Sequence, residues 1–369
     1  MSLDYTFLIV ALGTVGLGIL TGITGVFAVL RKQSLLGDSV SHSALAGIVL
    51  AYIITGSNRT EVLLLGALLV GLLATLLINI ISRNSRVNFE SAMALIMSTF
   101  FGLGFILLSQ IQKNPDSQAS GLERFIFGQA ATISQSDVIL VIIVLLVVSV
   151  IMALTWKEIK LYVFDPVYTH TLGLNTNLLD VIISGFIVAG IIMGIQMVGV
   201  VLMSALIITP AVAARQWTKS LGAMLVLSAL IGALSGLSGT VLSTVIDRFP
   251  PGPAIVVSAS VIVFISILMA PQRGLIARKI RSYRVKENYE ADMALINLLD
   301  HHLTNRETSF SKNQLKEACI IEGHQSDRSF NHLFHNLRRR KIIEYAQEDK
   351  YQLSQLGQHE YSTQRGNQT

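Results

Sequence analysis

The longest apolar stretch of the sequence is "LDVIISGFIVAGIIMGIQMVGVVLMSALIITPAVAA", residues 179–214. A helix needs about 20 apolar residues to cross a bilayer, so this run is too long for one crossing. Near its middle, "MGIQMVG" at residues 193–199 contains two glycines and a glutamine. Glycine favours turns, so we predict two short passes joined by a tight turn there. A single broken, re-entrant segment is the alternative.

Seven further apolar runs flank this stretch. They cover residues 7–30, 38–56, 61–82, 90–110, 137–156, 220–245 and 253–270. Only 14% of the residues are charged, against about a quarter in soluble domains. The sequence therefore predicts an all-α polytopic membrane protein with nine transmembrane helices, or eight if residues 179–214 are re-entrant. We assign this transmembrane domain to residues 1–280.

The distribution of basic residues predicts the orientation, because cytoplasmic loops are enriched in Lys and Arg. With nine passes, alternate loops hold the basic pairs Arg31 and Lys32, Arg83 and Arg86, Lys157 and Lys160, and Arg215 and Lys219. The segment after the last pass, "PQRGLIARKIRSYRVK" at residues 271–286, is basic as well. The other loops carry mixed or no charge. We therefore expect an outside N-terminus and a cytoplasmic C-terminus.

Two ionisable residues, Asp38 and His42, lie in "GDSVSHSALAG" at residues 37–47. Positions four apart share a helix face, and ionisable groups within membrane helices usually face a cavity or a partner. A carboxylate oxygen with an imidazole nitrogen suits a divalent first-row metal, and the nearby serines add hydroxyls. The spacing is equally compatible with a structural role, in which Asp38 caps the helix and His42 satisfies a backbone group.

A short helix is predicted in "FDPVYTHTLGL", residues 164–174, between two apolar runs. Asp165 suits the N-cap, Pro166 suits the first helical position, and Gly173 suits the end of the helix. An ordinary structured loop is the simpler interpretation of this pattern taken alone.

Several motifs, in order, resemble those of the permease subunits of divalent-metal ABC transporters, which import manganese, zinc or iron. The motifs are "VLRKQSLLGDSVSHSALAGIVLA" (29–51), "RFIFGQAATIS" (124–134), "FDPVYTHTLGL" (164–174), "VGVVLMSALIITPAVAARQWT" (198–218) and "PPGPAIVV" (250–257). The resemblance covers most of residues 7–275, with Pro253 after the glycine as a departure. It implies a multi-pass protein of the bacterial plasma membrane that works as a homodimer, or as a heterodimer with a related permease. It also implies an ABC ATPase subunit and an extracytoplasmic metal-binding lipoprotein as partners.

The resemblance also implies roles for individual residues. Asp38 and His42 become the metal-contacting pair on the translocation path, while Asp165, Pro166 and Gly173 belong to the ATPase-coupling segment. The metal is the transported ion, and we expect manganese rather than zinc or iron. No permanently bound cofactor is expected.

The sequence has no glycine-rich phosphate loop ending in Lys-Ser/Thr, so we expect ATP hydrolysis on a separate subunit and no enzymatic activity in this chain. The alternatives are a secondary metal-ion transporter and a membrane-anchored metal-responsive regulator.

Residues 287–369 are more polar and form a second predicted domain. Helical patterns at 290–303, 311–320 and 326–345 precede two short predicted strands and a final helix. This order resembles the winged-helix domain of metal-dependent repressors, so we predict a small α+β winged-helix-like cytoplasmic domain. A basic run at residues 338–341 suits phosphate contact, and histidines at 301, 302, 324, 332, 335 and 359 suit metal sensing. We favour a regulatory or docking module over DNA binding, because fold does not fix function.

Overall fold

The chain separates into two compact units, Met1–Leu275 and Ile276–Thr369, in a computed structural model. In the first unit the structure describes residues 5–113, 128, 133–246, 249–271 and 274–275. In the second it describes residues 276–282, 309–314, 316, 331, 334, 335, 337–346 and 350–356. The domain assignment 1–280 and 287–369 stays a prediction, because residues 283–308 lie outside this set.

The described part of the first unit contains nine helices long and apolar enough to cross a membrane, as predicted. They are α1 (Tyr5–Leu30), α2 (Leu36–Thr55), α3 (Thr60–Asn84), α4 (Phe89–Gln112), α5 (Gln135–Leu154), α8 (Thr176–Val198), α9 (Val200–Trp217), α10 (Leu221–Val245) and α11 (Pro251–Met269). Two short helices, α6 (Trp156–Phe164) and α7 (Pro166–Thr171), lie between α5 and α8.

The break in the longest apolar run lies at one residue, Gly199. Its φ of 89° and ψ of 163° leave the helical region, and a positive φ of this size favours glycine. The predicted turn at residues 193–199 is therefore wrong in extent, since residues up to Val198 stay helical. The helix α9 returns along the bundle, because Ile207 packs against Gly25 and Gly37 near the end of the bundle where α8 begins.

Small residues bring α1 and α10 into close contact. A Cβ on Gly18 would come within 2.1 Å of the Gly232 carbonyl oxygen, so the two backbones touch there. The Ser228 hydroxyl donates to the Gly22 carbonyl at 2.7 Å, which adds a hydrogen bond to this contact. Close backbone approach is how membrane helices associate when lipid gives no hydrophobic drive. The helix α1 also packs on α5, α8 and α9, so it lies at the centre of the bundle.

Contacts at the helix ends agree with nine alternating passes. The end of α1 meets the start of α8 through an ion pair between Arg31 and Asp180. The starts of α1 and α5 meet at the opposite end through Tyr5 and Gln135. In each contact the two helix ends are separated by four crossings along the chain, and an even number of crossings returns the chain to the same end of the bundle. Which end faces the cytoplasm stays a prediction.

The described part of the second unit contains an antiparallel sheet of β1 (Phe310–Ser311), β2 (Ile343–Tyr345) and β3 (Lys350–Leu353), in the order β1-β3-β2. The ring of Tyr351 in β3 meets Phe334 edge-on, with centroids 4.9 Å apart, and this contact anchors the sheet on the preceding helical residues. The two predicted strands are present, and β1 was not predicted. The helix predicted at 290–303 lies outside the described residues, so the winged-helix assignment stays a prediction.

Candidate functional site

The Asp38–His42 pair lies in the first turns of α2. The helix begins at Leu36 with Leu35 at its N-cap, so Asp38 sits inside the first turn. The Asp38 Oδ1 and His42 Nε2 atoms are 3.4 Å apart, and these side chains are 41% and 24% exposed. The pair therefore faces out of the chain, on the same stripe of α2 as the exposed Leu35.

The alternative structural role of this pair is wrong in both parts. Asp38 does not occupy the cap position, since the helix starts two residues earlier. The Nδ1 atom of His42 is buried without a hydrogen-bond partner among the described residues, so it satisfies no backbone group there. The His42 ring is held instead by Phe101 of α4, which it meets edge-on with centroids 5.0 Å apart. Packing therefore fixes the imidazole with its Nε2 atom towards Asp38, and this is the nitrogen that an ion could reach.

Two of the three neighbouring serines, Ser39 and Ser41, do not enlarge the site as expected. The Ser39 hydroxyl donates to the Met93 carbonyl of α4 at 3.2 Å, and the Ser41 hydroxyl donates to the Gly37 carbonyl at 2.7 Å. Both residues are buried, whereas the Asp38–His42 pair is partly exposed. These two hydroxyls stabilise helix packing and are not free for a metal ion.

The separation of the pair is compatible with a shared metal ion as well as with a direct ion pair between the two side chains. Two ligand atoms about 2.1 Å from a tetrahedral ion lie about 3.4 Å apart, which matches the observed separation. Among the described residues, no group of three or more His, Cys, Asp or Glu side chains surrounds a common point. The described part of one chain thus offers two ligands here. Moderate binding of this kind suits an ion that must leave as well as enter.

The predicted short helix is present as α7. The Asp165 side chain accepts a hydrogen bond from the Tyr168 backbone N–H at 2.9 Å, and Pro166 is the first helical residue. Gly173 follows the helix with a φ of 78°. These three residues therefore hold the positions that their sequence pattern predicts. Their role in ATPase coupling stays a prediction.

Apolar side chains are exposed on α7 and just after it. Val167, Tyr168 and Leu172 are 75%, 52% and 54% exposed, whereas Thr169 is buried. An apolar patch outside the spanning helices indicates a surface for a protein partner. The preceding helix α6 was not predicted, and its Tyr162 side chain points into the bundle end rather than outwards.

Asp180 was not predicted as a functional residue. It lies in the first turns of α8 and is only 4% exposed. Its carboxylate pairs with Arg31 and Arg83 and accepts hydrogen bonds from Asn79 and Tyr162. We call these five residues the Asp180 cluster. Burial, and then the charge of Asp180, raise the pKa of Tyr162, so its phenol keeps its proton and donates. The position of Asp180 in an otherwise apolar run could have identified it, because a carboxylate in a membrane helix usually has a partner.

Comparisons with known proteins agree with the sequence motifs. The sequence profile of the ABC 3 transport family matches residues 4–270. The chain is 45% identical over 282 residues to the zinc transport system membrane protein TroC of Treponema pallidum, covering 76% of this chain and 95% of TroC. It is 39% identical over 293 residues to the manganese transport system membrane protein MntC of Bacillus subtilis, covering 79% and 67% of the two chains.

A solved structure gives the same result for the fold. PsaBC from Streptococcus pneumoniae, in complex with Fab, matches with a TM-score of 0.66 and 26% sequence identity. The match covers 74% of this chain and 95% of that chain, so the second unit lies largely beyond it. The resemblance of the membrane region is therefore confirmed, while that of the tail is not. The chain belongs to the ABC 3 transport family.

Proposed function

We propose that this protein is the membrane permease subunit of an ATP-driven importer for a divalent transition metal. The observation that carries the proposal is the Asp38–His42 pair, whose 3.4 Å separation and partial exposure suit an ion in transit. The membership of the ABC 3 transport family supports the same function. Asp38 supplies the anionic ligand and His42 supplies the nitrogen ligand.

A second permease chain completes the site in this proposal. The stripe of α2 that carries Leu35, Asp38 and His42 faces away from its own chain, as does the exposed edge of Phe101 on α4. A homodimer would bring two such pairs together and supply up to four ligands around one ion. A heterodimer with a related permease would do the same if the partner carries equivalent residues.

The ATPase and the binding lipoprotein occupy opposite ends of the bundle. We place the ATPase at α7, because Val167, Tyr168 and Leu172 expose apolar surface beside the basic loops that mark the cytoplasmic side. The extracytoplasmic lipoprotein then delivers metal at the end that holds Tyr5 and Gln135. This arrangement gives an outside N-terminus and leaves ATP hydrolysis to the separate subunit.

Manganese is the cargo that we propose, and zinc is the second candidate. Carboxylate and imidazole ligands suit both ions, and the affinity order alone favours zinc. MntC of Bacillus subtilis is named for manganese, whereas the 45% identical TroC is named for zinc. Uptake of manganese by vesicles that hold the full complex, with zinc as competitor, distinguishes the two.

The second unit is a regulatory or docking module in this proposal. Its basic run ends at Lys341, which has a left-handed φ of 58°, directly before the sheet. A chain tethered to the membrane gains little from DNA contact, so we assign these charges to a protein surface. Residues 283–369 can be removed to test this. Metal uptake that persists in the truncated complex supports a modulating role, and complete loss with normal assembly contradicts it.

The metal pair is tested by substitution in the assembled complex. Asp38→Asn removes the anionic ligand, and His42→Ala removes the nitrogen ligand. Both variants should assemble and lose metal uptake. Asp137→Asn is the matched control, because Asp137 belongs to the capping box of α5, outside the pair. Wild-type uptake rates in Asp38→Asn and His42→Ala would contradict the proposal.

A further inference from the structure

The Asp180 cluster connects the helices beside the ATPase to the chain segment that leads into the metal pair. We propose that Asp180 is a positioning residue, which transmits movement of α6 and α7 to Asp38 and His42 through Arg31. This inference rests on the proposed function. It concerns how movement at the ATPase surface reaches the metal pair, and not which residues bind the ion.

One carboxylate holds four helices together at this end of the bundle. Its Oδ1 atom pairs with Arg31 at the end of α1 and accepts from the Tyr162 hydroxyl of α6 at 3.4 Å. Its Oδ2 atom accepts from Asn79 at 3.3 Å and from Arg83 at 3.2 Å, both on α3. The Arg31 guanidinium also lies 5.6 Å from the centre of the Tyr162 ring. Movement of any one helix therefore changes the environment of the same charge.

The link from this cluster to the metal pair is short and well ordered. We call residues 31–35 the α1–α2 corner. The backbone N–H of Gln33 donates to the Ala28 carbonyl at 2.8 Å, and that of Lys32 donates to the Val29 carbonyl at 3.3 Å. These two bonds form a Schellman motif with Arg31 at the C-cap. The helix α2 starts directly after the corner, so a shift of Arg31 moves the turn that carries Asp38.

Three features of the corner support this inference. The Nη1 atom of Arg31 and the Oε1 atom of Gln33 are both buried without hydrogen-bond partners among the described residues. They are a donor and an acceptor on the same corner, so a local rearrangement could pair them. Lys32, between them, holds a left-handed φ of 58°, which costs free energy for a residue with a Cβ. Unmet polar groups and backbone strain are typical of switch segments.

The other side of the cluster leads to the ATPase surface. Tyr162 lies in the last turn of α6, and Asp165 follows that helix and caps α7. Force on the exposed side chains of α7 thus reaches Tyr162 over about one turn of helix. Since Tyr162 and Arg31 share the Oδ1 atom of Asp180, a displacement of Tyr162 changes the charge that Arg31 meets and shifts the balance between the two donors.

The test compares metal uptake with ATP hydrolysis in vesicles that contain the full complex with its ATPase and lipoprotein. Tyr162→Phe removes one hydrogen bond and keeps the ring, whereas Asp180→Asn removes the charge. We expect the manganese transported per ATP hydrolysed to fall about tenfold in Asp180→Asn and about threefold in Tyr162→Phe. ATP hydrolysis without metal should stay near the wild-type rate. Tyr5→Phe is the matched control, because its hydroxyl contacts Gln135 at the opposite end of the bundle.

The outcomes separate this inference from the proposed function. If uptake and ATP hydrolysis fall together, with an unchanged ratio, Asp180 has only a structural role and the inference is wrong. If Asp180→Asn fails to assemble, Tyr162→Phe decides, and a wild-type ratio in that variant overturns the inference. If the wild-type complex transports no metal, the proposed function fails instead.

Discussion

Two carboxylates in the membrane helices have opposite environments. Asp180 is 4% exposed and has two arginines, an amide and a phenol around it. The side chain of Asp38 is 41% exposed, and its nearest basic partner, His42, lies at 3.4 Å. A charge that is fully compensated holds helices together, whereas a charge left open is available to an ion. Under the proposed function, the same residue type thus serves structure at one site and the transported ion at the other.

The largest expected difference between the two sites is in stability. Asp180→Asn leaves the largely buried Arg31 without its counter-ion, so we expect a loss of about 3–5 kcal/mol in the free energy of unfolding, to which the half-exposed Arg83 adds little. Asp38→Asn should change it by less than about 0.5 kcal/mol, because Asp38 is 41% exposed and makes no buried ion pair with the described residues. Thermal unfolding of the purified variants in lipid nanodiscs measures both. Equal losses in the two variants would show that Asp38 is structural too.

Metal binding should show the opposite pattern. At a free manganese concentration about 100 times its Kd, binding should stabilise the folded wild-type complex by about 2.7 kcal/mol. That stabilisation should disappear in Asp38→Asn and His42→Ala, and should persist in Tyr162→Phe. The measurement is the shift of the unfolding temperature on addition of manganese. A shift retained in His42→Ala would place the ion elsewhere.

The corner between the two sites should tolerate a more flexible residue. Lys32 adopts a φ of 58°, so Lys32→Gly should raise the free energy of unfolding by about 1 kcal/mol. Lys32→Ala is the control, since it keeps the Cβ and should bring no such gain. Thermal unfolding distinguishes the variants. A loss of stability in Lys32→Gly would mean that the lysine side chain has its own stabilising contact.

The smallest expected effect concerns alkaline pH. The folded-state pKa of Tyr162 lies above its ordinary value of 10.0, because burial and the Asp180 charge disfavour the phenolate. Its contribution to stability is thus fully present below pH 10.0 and is lost as the pH rises through the folded-state pKa. The difference in unfolding temperature between the wild type and Tyr162→Phe should therefore shrink as the pH rises above 10.0. A difference that grows with pH would contradict this assignment.

Local patterns made much of the fold predictable. Apolar runs predicted the spanning helices, and Asp165, Pro166 and Gly173 predicted α7 because capping depends on residues next to the helix end. The i, i+4 spacing likewise brought Asp38 and His42 together before any tertiary contact was known. The start of α2 was misplaced because the Schellman motif at the corner, and not a capping side chain, sets it.

Contacts between residues far apart in the sequence could not be predicted from local patterns. Asp180 meets Arg31 and Asn79 across separations of 149 and 101 residues, and no local pattern specifies such partners. The helix α6 was hidden for another reason, since its polar residues suit a loop as well as a surface helix. The pairing of β1 with β3 also depends on residues far apart in sequence.

The link at Gly199 bears on how the chain enters the bilayer during synthesis. Because a single glycine separates α8 from α9, no hydrophilic loop follows α8 that could be carried across after α8 has settled. We therefore expect the two helices to enter the bilayer together as one hairpin. The strongly apolar α8 then favours the insertion of α9, which contains Pro210 and has Arg215 in its last turn. A longer polar link would remove this mutual dependence and allow each helix to be inserted on its own.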